Sequence, residues 1–127
     1  MREEEKGLTT NQVMEQAARR KPNTVDDRDA ADWVMDLNTR LMWELRMPED
    51  LPCPKDWPED GDMPLAASGP YEDLYLFYLI AMIEYTCREY ANYNNSIVLF
   101  NDRVADFRRW YRRTHRPLDS KPYEGVL

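Results

Sequence analysis

The single histidine, His115, is the first place to look for acid–base chemistry, and it sits among arginines in RRTHRP. A catalytic imidazole needs a nucleophile or carboxylate to work on, whereas a cation at a helix end simply complements the dipole. The surroundings of His115 favour the second role. Other raw materials of chemistry are equally thin. HExxH, CxxC, GxxxxGKS and GxGxxG do not occur, and the four glycines are too scattered to cradle a phosphate. Acidic residues cluster at Asp26-Asp27-Asp29, Glu49-Asp50 and Glu59-Asp60-Asp62. The last cluster lies in EDGD, which lacks the spaced ligands and terminal bidentate Glu of an EF-hand loop and so reads as solubilising charge. Glu72-Asp73 reads as a helix start, not as a carboxylate pair for catalysis. Cys53 stands between prolines and Cys87 in a helical pattern, two thiols suited to a reducing compartment. No enzymatic activity, cofactor or metal is expected.

Recognition is what these residue types can do. Arg108, Arg109, Arg112, Arg113 and Arg116 close the last predicted helix, and positions 109, 112, 113 and 116 share one side of it. Two readings stay open. The cations complement the helix dipole and pair with nearby acid, or they form a docking patch for an acidic protein surface or, less readily, a phosphate backbone. From Arg88 to Arg116 seven arginines stand against Glu89, Asp102 and Asp106, a net +4 that leaves −11 on the remainder of a chain totalling −7. An acidic body with one basic helix suggests self-complementarity, and head-to-tail contact of unlike surfaces builds rings where the rotation closes. The overall acidity opposes a nucleic-acid binder.

These residues need helices to position them. Thr9 with Gln12 has the form of a capping box ahead of a short helix through Arg20, which Pro22 stops. Asn23 to Asp27 reads as a turn, with Asp26 or Asp27 capping a second helix. In that helix Val34, Leu37, Leu41 and Leu45 recur three and four apart, widened by Trp33 and Met42, up to Pro48. Six of the nine prolines then fall between 48 and 70, which predicts a long proline-rich loop. Leu51, Trp57, Met63 and Leu65 within it argue that part packs onto its own body or a neighbouring subunit, and Trp57 is a candidate contact. Residues 73 to about 88 are apolar around the whole circumference and predict a core helix buried on all sides. A seam of Tyr93, Ile97, Phe100, Val104, Phe107 and Tyr111 predicts a last helix over 90–114, ended before Pro117. Spacing alone leaves open whether a bend near Arg88 separates these two helices. The expectation is one all-α domain over 1–127, a three- to four-helix bundle with the proline-rich loop between its second and third helices. A disordered lead over 1–8 and an irregular tail over 117–127 flank it.

Composition agrees. Apolar residues make up 43%, eight Tyr, four Trp and three Phe among them, enough for a core and an interface. The longest apolar stretch, Leu74 to Ile83, is about half of what a bilayer span needs, and MREEEKGLTT does not resemble a signal peptide. A cytosolic protein, or part of an assembly built in the cytosol, is expected.

KPNTVDDRDAADWVMDLNTRLMWEL, PYEDLYLFYLIAMIEY and YANYNNSIVLFNDRVADFRRWYRRTHRP together resemble a family of small helical proteins from tailed phages and prophages of Gram-positive bacteria, over roughly residues 9–118. PYEDLY and YNNS…F…WYRRTHRP are the most specific parts. The family is similar to head–tail connector (adaptor or neck) proteins. The resemblance implies a structural virion protein that assembles as a ring at the portal vertex, twelve subunits if it matches the portal. It would wait in the host cytoplasm before joining the head–tail junction. Its partners would be itself, the portal protein and a downstream neck or tail protein, with DNA only passing through the ring. Where the family pattern has a glycine breaking the core helix, this chain reads YTCREY. Another helical phage interaction protein, a tail-assembly chaperone or small regulator, is the alternative.

Overall fold

A computed structural model describes residues 7–115. Among them are four α-helices and no strand: α1 (Thr10–Arg20), α2 (Asp27–Glu44), α3 (Asp73–Thr86) and α4 (Tyr90–Thr114), with a 3-10 turn at Gly69–Tyr71. The arrangement is an all-α bundle in which α3 touches each of the other three helices. Arg116 and the tail over 117–127 lie outside the described residues, as do residues 1–6.

Each helix begins and ends for a local reason. At α1 the Thr9 hydroxyl accepts from the Gln12 amide at 3.2 Å while the Gln12 side chain accepts from the Thr9 amide at 2.9 Å, a complete capping box. Asp26 caps α2 by accepting from the Arg28 amide at 3.2 Å. The C-termini of α2 and α3 share one device. Arg46 (φ 53°) and Arg88 (φ 63°) occupy the left-handed region just past each helix. The Met47 amide returns to the Met42 carbonyl and the Glu89 amide to the Glu84 carbonyl, at 3.0 and 2.8 Å. Both are Schellman closures, with arginine where glycine is usual. α3 therefore stops at Thr86, and α4 starts afresh at Tyr90.

The α3–α4 hairpin is held in register by aromatic pairs. Tyr71, Tyr78 and Tyr85 recur every seven residues and meet Phe107, Phe100 and Tyr93 at centroid distances of 5.9, 5.0 and 5.3 Å. Each such pair adds about 1 kcal/mol beyond its buried area. Asp73 and Arg103 add an ion pair at 3.0 Å between the rungs. At ~1.5 Å per residue α4 outruns α3 by roughly 16 Å, so its last turns pack on Tyr71 and the end of α2. At the opposite end Lys21, just past α1, bridges Glu84 at 3.3 Å and Glu89 at 2.6 Å, tying α1 to the hairpin turn.

Two expectations are corrected. Leu8, assigned to a loose lead, is buried, and its carbonyl accepts the Leu65 amide at 2.8 Å. Backbone pairing to the chain returning from α2 anchors it. The core helix is not buried on every side: Phe77, Ile80 and Met82 are half-buried and Tyr85 is exposed. Three neighbouring helices do not cover its whole circumference.

Between α2 and α3 the backbone carries no α-helix, and side chains fix its return. The buried Asn38 carbonyl oxygen accepts from the Tyr75 hydroxyl at 2.6 Å and the Ala66 amide at 2.8 Å. The Tyr75 hydroxyl in turn accepts from the Ala67 amide at 2.8 Å. Burial pushes the Tyr75 phenol well above its usual pKa, so it remains a donor. Farther back, Asn11 receives the Trp57 indole N–H at 2.8 Å and donates to Asp62 at 2.9 Å. A Cβ at Gly61 would come within 2.6–2.8 Å of the Asn11 side chain and displace it from these two bonds.

Asn38→Ala strands the Tyr75 hydroxyl and the Ala66 amide, and should lower unfolding free energy by about 3 kcal/mol in urea titrations. Arg88→Gly relieves the left-handed strain and should raise it by about 1 kcal/mol in the same measurement.

Candidate interaction surface

The last turns of α4 are set by Phe107 and Trp110, which pack on Tyr71 and turn the intervening arginines outward. The arginines then divide. Arg108 approaches Glu44, the last residue of α2, from Nε at 2.8 Å and Nη2 at 3.1 Å, and Arg112 reaches the same carboxylate at 3.3 Å. Arg108 Nε is close enough for an ion pair but not aligned for a hydrogen bond, so the Nη2 contact carries the directionality. This clamp is partly solvated and contributes roughly 1 kcal/mol or less. Arg109 pairs with Asp106 one turn back. Arg113 is exposed and makes no ion pair among the described residues. His115 stacks on Tyr111 at 4.0 Å and its amide closes the helix onto the Tyr111 carbonyl at 2.9 Å, a capping position. Burial pushes the Tyr111 hydroxyl pKa upward.

Trp57 is at the other end of the bundle. Besides the Asn11 bond, its carbonyl accepts from Arg28 at 2.8 Å, and the Arg28 guanidinium lies 6.0 Å from its ring centroid. Arg28 and Glu44 lie at opposite ends of α2, about 24 Å apart along its axis. The fold therefore separates Trp57 from the arginines and uses it to fasten residues 55–62 to α1 and α2. Asp60 closes that segment by accepting from the Lys55 and Asp56 amides at 2.9 and 3.0 Å.

Periodicity singled out neither of two other features. Trp43 is 84% exposed on α2, beside the Glu44 clamp. Its position off the Val34-Leu37-Leu41-Leu45 stripe was the available signal. An open groove of about 550 Å³ lies along the same helix, lined by Asp32, Trp33, Met35, Asp36, Thr39 and Lys55. Cys53 is free and 3.6 Å from the Thr39 hydroxyl, and Cys87 is free and exposed. No three His, Cys, Asp or Glu among the described residues converge to hold a metal, and no helix there is long and apolar enough to cross a membrane. Among the described residues, α2 carries an acidic face with Trp33 and Trp43 on it, and α4 ends in arginines.

The two amides on Asp60 hold its carboxyl below the usual carboxylate range. Its stabilising contribution is present above the unfolded value of 3.8 and is lost as pH falls through the lower folded value. Asp60→Asn should reduce the melting temperature near neutral pH and flatten its decline between about pH 5 and pH 3 in thermal scans. Compared with known protein families, curated proteins and solved structures, the chain matches none.

Proposed function

We propose that this protein is a structural component of a tailed-phage virion, a head–tail connector or adaptor subunit that joins a ring at the portal vertex. The observation that carries this reading is the separation of charge on the helical body. Arg109 and Arg113 point to solvent at the end of α4, while Asp27, Asp29, Asp32 and Asp36 are exposed along α2. Unlike charges on distinct surfaces steer and orient assembly partners. Placed head to tail, they also allow a ring to close. The sequence resemblance over residues 9–118 supports the particular assembly.

On this reading the chain performs no catalysis and carries no cofactor. Its partners are further copies of itself, the portal protein and the downstream neck or tail protein, and DNA meets it only in passing through the ring. It is made in the host cytoplasm and ends at the head–tail junction. Arg108 and Arg112, occupied by Glu44, brace the basic end, which leaves Arg113 and the Asp106-paired but largely exposed Arg109 as its outward contacts.

Phage lacking this chain should yield filled heads without tails in negative-stain images, and complementation with Arg109→Glu/Arg113→Glu should restore fewer tailed particles than the natural chain. Normally tailed particles in its absence overturn the proposal.

A further inference from the structure

The outer face of α2 carries a knob and a hole side by side. Trp43 is 84% exposed. At 100° per residue it projects within about 20° of Asp36, roughly 10 Å farther along the axis. Asp36 is on the rim of the groove, whose walls include Trp33 and Thr39 and whose far side is Lys55. Neither the ring nor the groove has an occupant among the described residues.

We propose that this face binds a second copy of itself, α2 against α2 and antiparallel, about a two-fold axis level with Asn38, each Trp43 entering the other chain's groove. The geometry selects the symmetry. When knob and hole share one face of one helix, a two-fold axis fills both holes at once, whereas head-to-tail stacking leaves one knob and one hole over. The charges select the direction. With the axis level with Asn38, Asp36 faces the second copy's Arg40, and Trp33 faces its Trp43. Asp36 and Arg40 are more than half exposed and already paired within one helix at 3.2 Å, so the second copy turns two pairs into a four-charge cluster. Asp32 faces the second copy's Glu44, which is held between two arginines and so presents a net positive group. A parallel pairing would instead set Asp36 against Asp36 and Arg40 against Arg40, and like charges reject it. Each buried Trp ring removes about 200 Å² from water, and Trp and Arg are the residue types that dominate contact energies.

The pair is closed and covers Asp32 and Asp36, so a ring that meets the basic end of α4 with the acidic face of α2 forms only after the pair opens. The two readings are tested apart, the pair on purified protein and the connector on virions. Sedimentation velocity of the full chain from about 1 to about 100 µM at ~0.15 M salt should show the mass rising from 15.2 kDa towards twice that value. Trp43→Ala, at an exposed site, should keep the helical circular dichroism and weaken association by at least about 30-fold. Asp36→Arg and Arg40→Asp should each dissociate the pair. Mixing the two variants sets a positive pair against a negative pair and should restore a heterodimer. Four results would overturn the proposal: a wild-type monomer throughout that range, which leaves the face to a different protein; a larger head-to-tail series; a dimer that Trp43→Ala leaves unchanged; or no association on mixing.

Discussion

One buried carbonyl oxygen, that of the Asn38 side chain, ties together three parts of the chain that are distant in sequence. It accepts from Tyr75 on α3 and from the Ala66 backbone, so α2, α3 and the returning segment share one point. In an apolar interior an unpaired amide costs more than a made hydrogen bond gains. The donors are therefore specified as well as stabilised. A small shift of α2 against α3 would leave Asn38, Tyr75 and Ala66 unpaired together. That penalty sets the register of the core in a way that the interchangeable contacts of Leu41, Leu74 and Leu79 cannot.

From that point the structure extends in two directions. Backwards, the segment from Met47 to Ala67 runs along the bundle and is pinned by Asn11, Arg28 and Asp60. Its Lys55 consequently becomes a wall of the groove on α2. Forwards, Tyr71, Tyr78 and Tyr85 set the α3–α4 register, and the extra length of α4 carries its arginines to Glu44. Both the aromatic face of α2 and the basic end of α4 thus depend on where α2 sits. Both arginines at Schellman positions, Arg46 and Arg88, accept left-handed strain of about 1 kcal/mol. Each also places a cation at the negative end of a helix dipole, which offsets part of that cost. The tertiary contacts past each turn, Met47 in the core and Glu89 on Lys21, hold the strained residue in place.

Sequence by itself determined what depends on local spacing. The Thr9–Gln12 box, a cap at Asp26 or Asp27, the α2 stripe and the seam of α4 follow from side chains within four residues of one another, and those interactions form wherever the helix forms. The arginine run at the end of α4 was equally plain. The break at Arg88 was not, because its ordinary signal is glycine, and an arginine reaches that backbone only when contacts beyond the turn compensate the strain. Tertiary structure alone decided the rest. It divided one run of cations into Arg108 and Arg112 on Glu44 and Arg109 and Arg113 towards solvent. It also made Trp57 a fastener at the far end of α2 and left Trp43 in water. Each of those outcomes depends on which distant residue comes within about 3 Å, a distance that the order of residues along the chain does not contain.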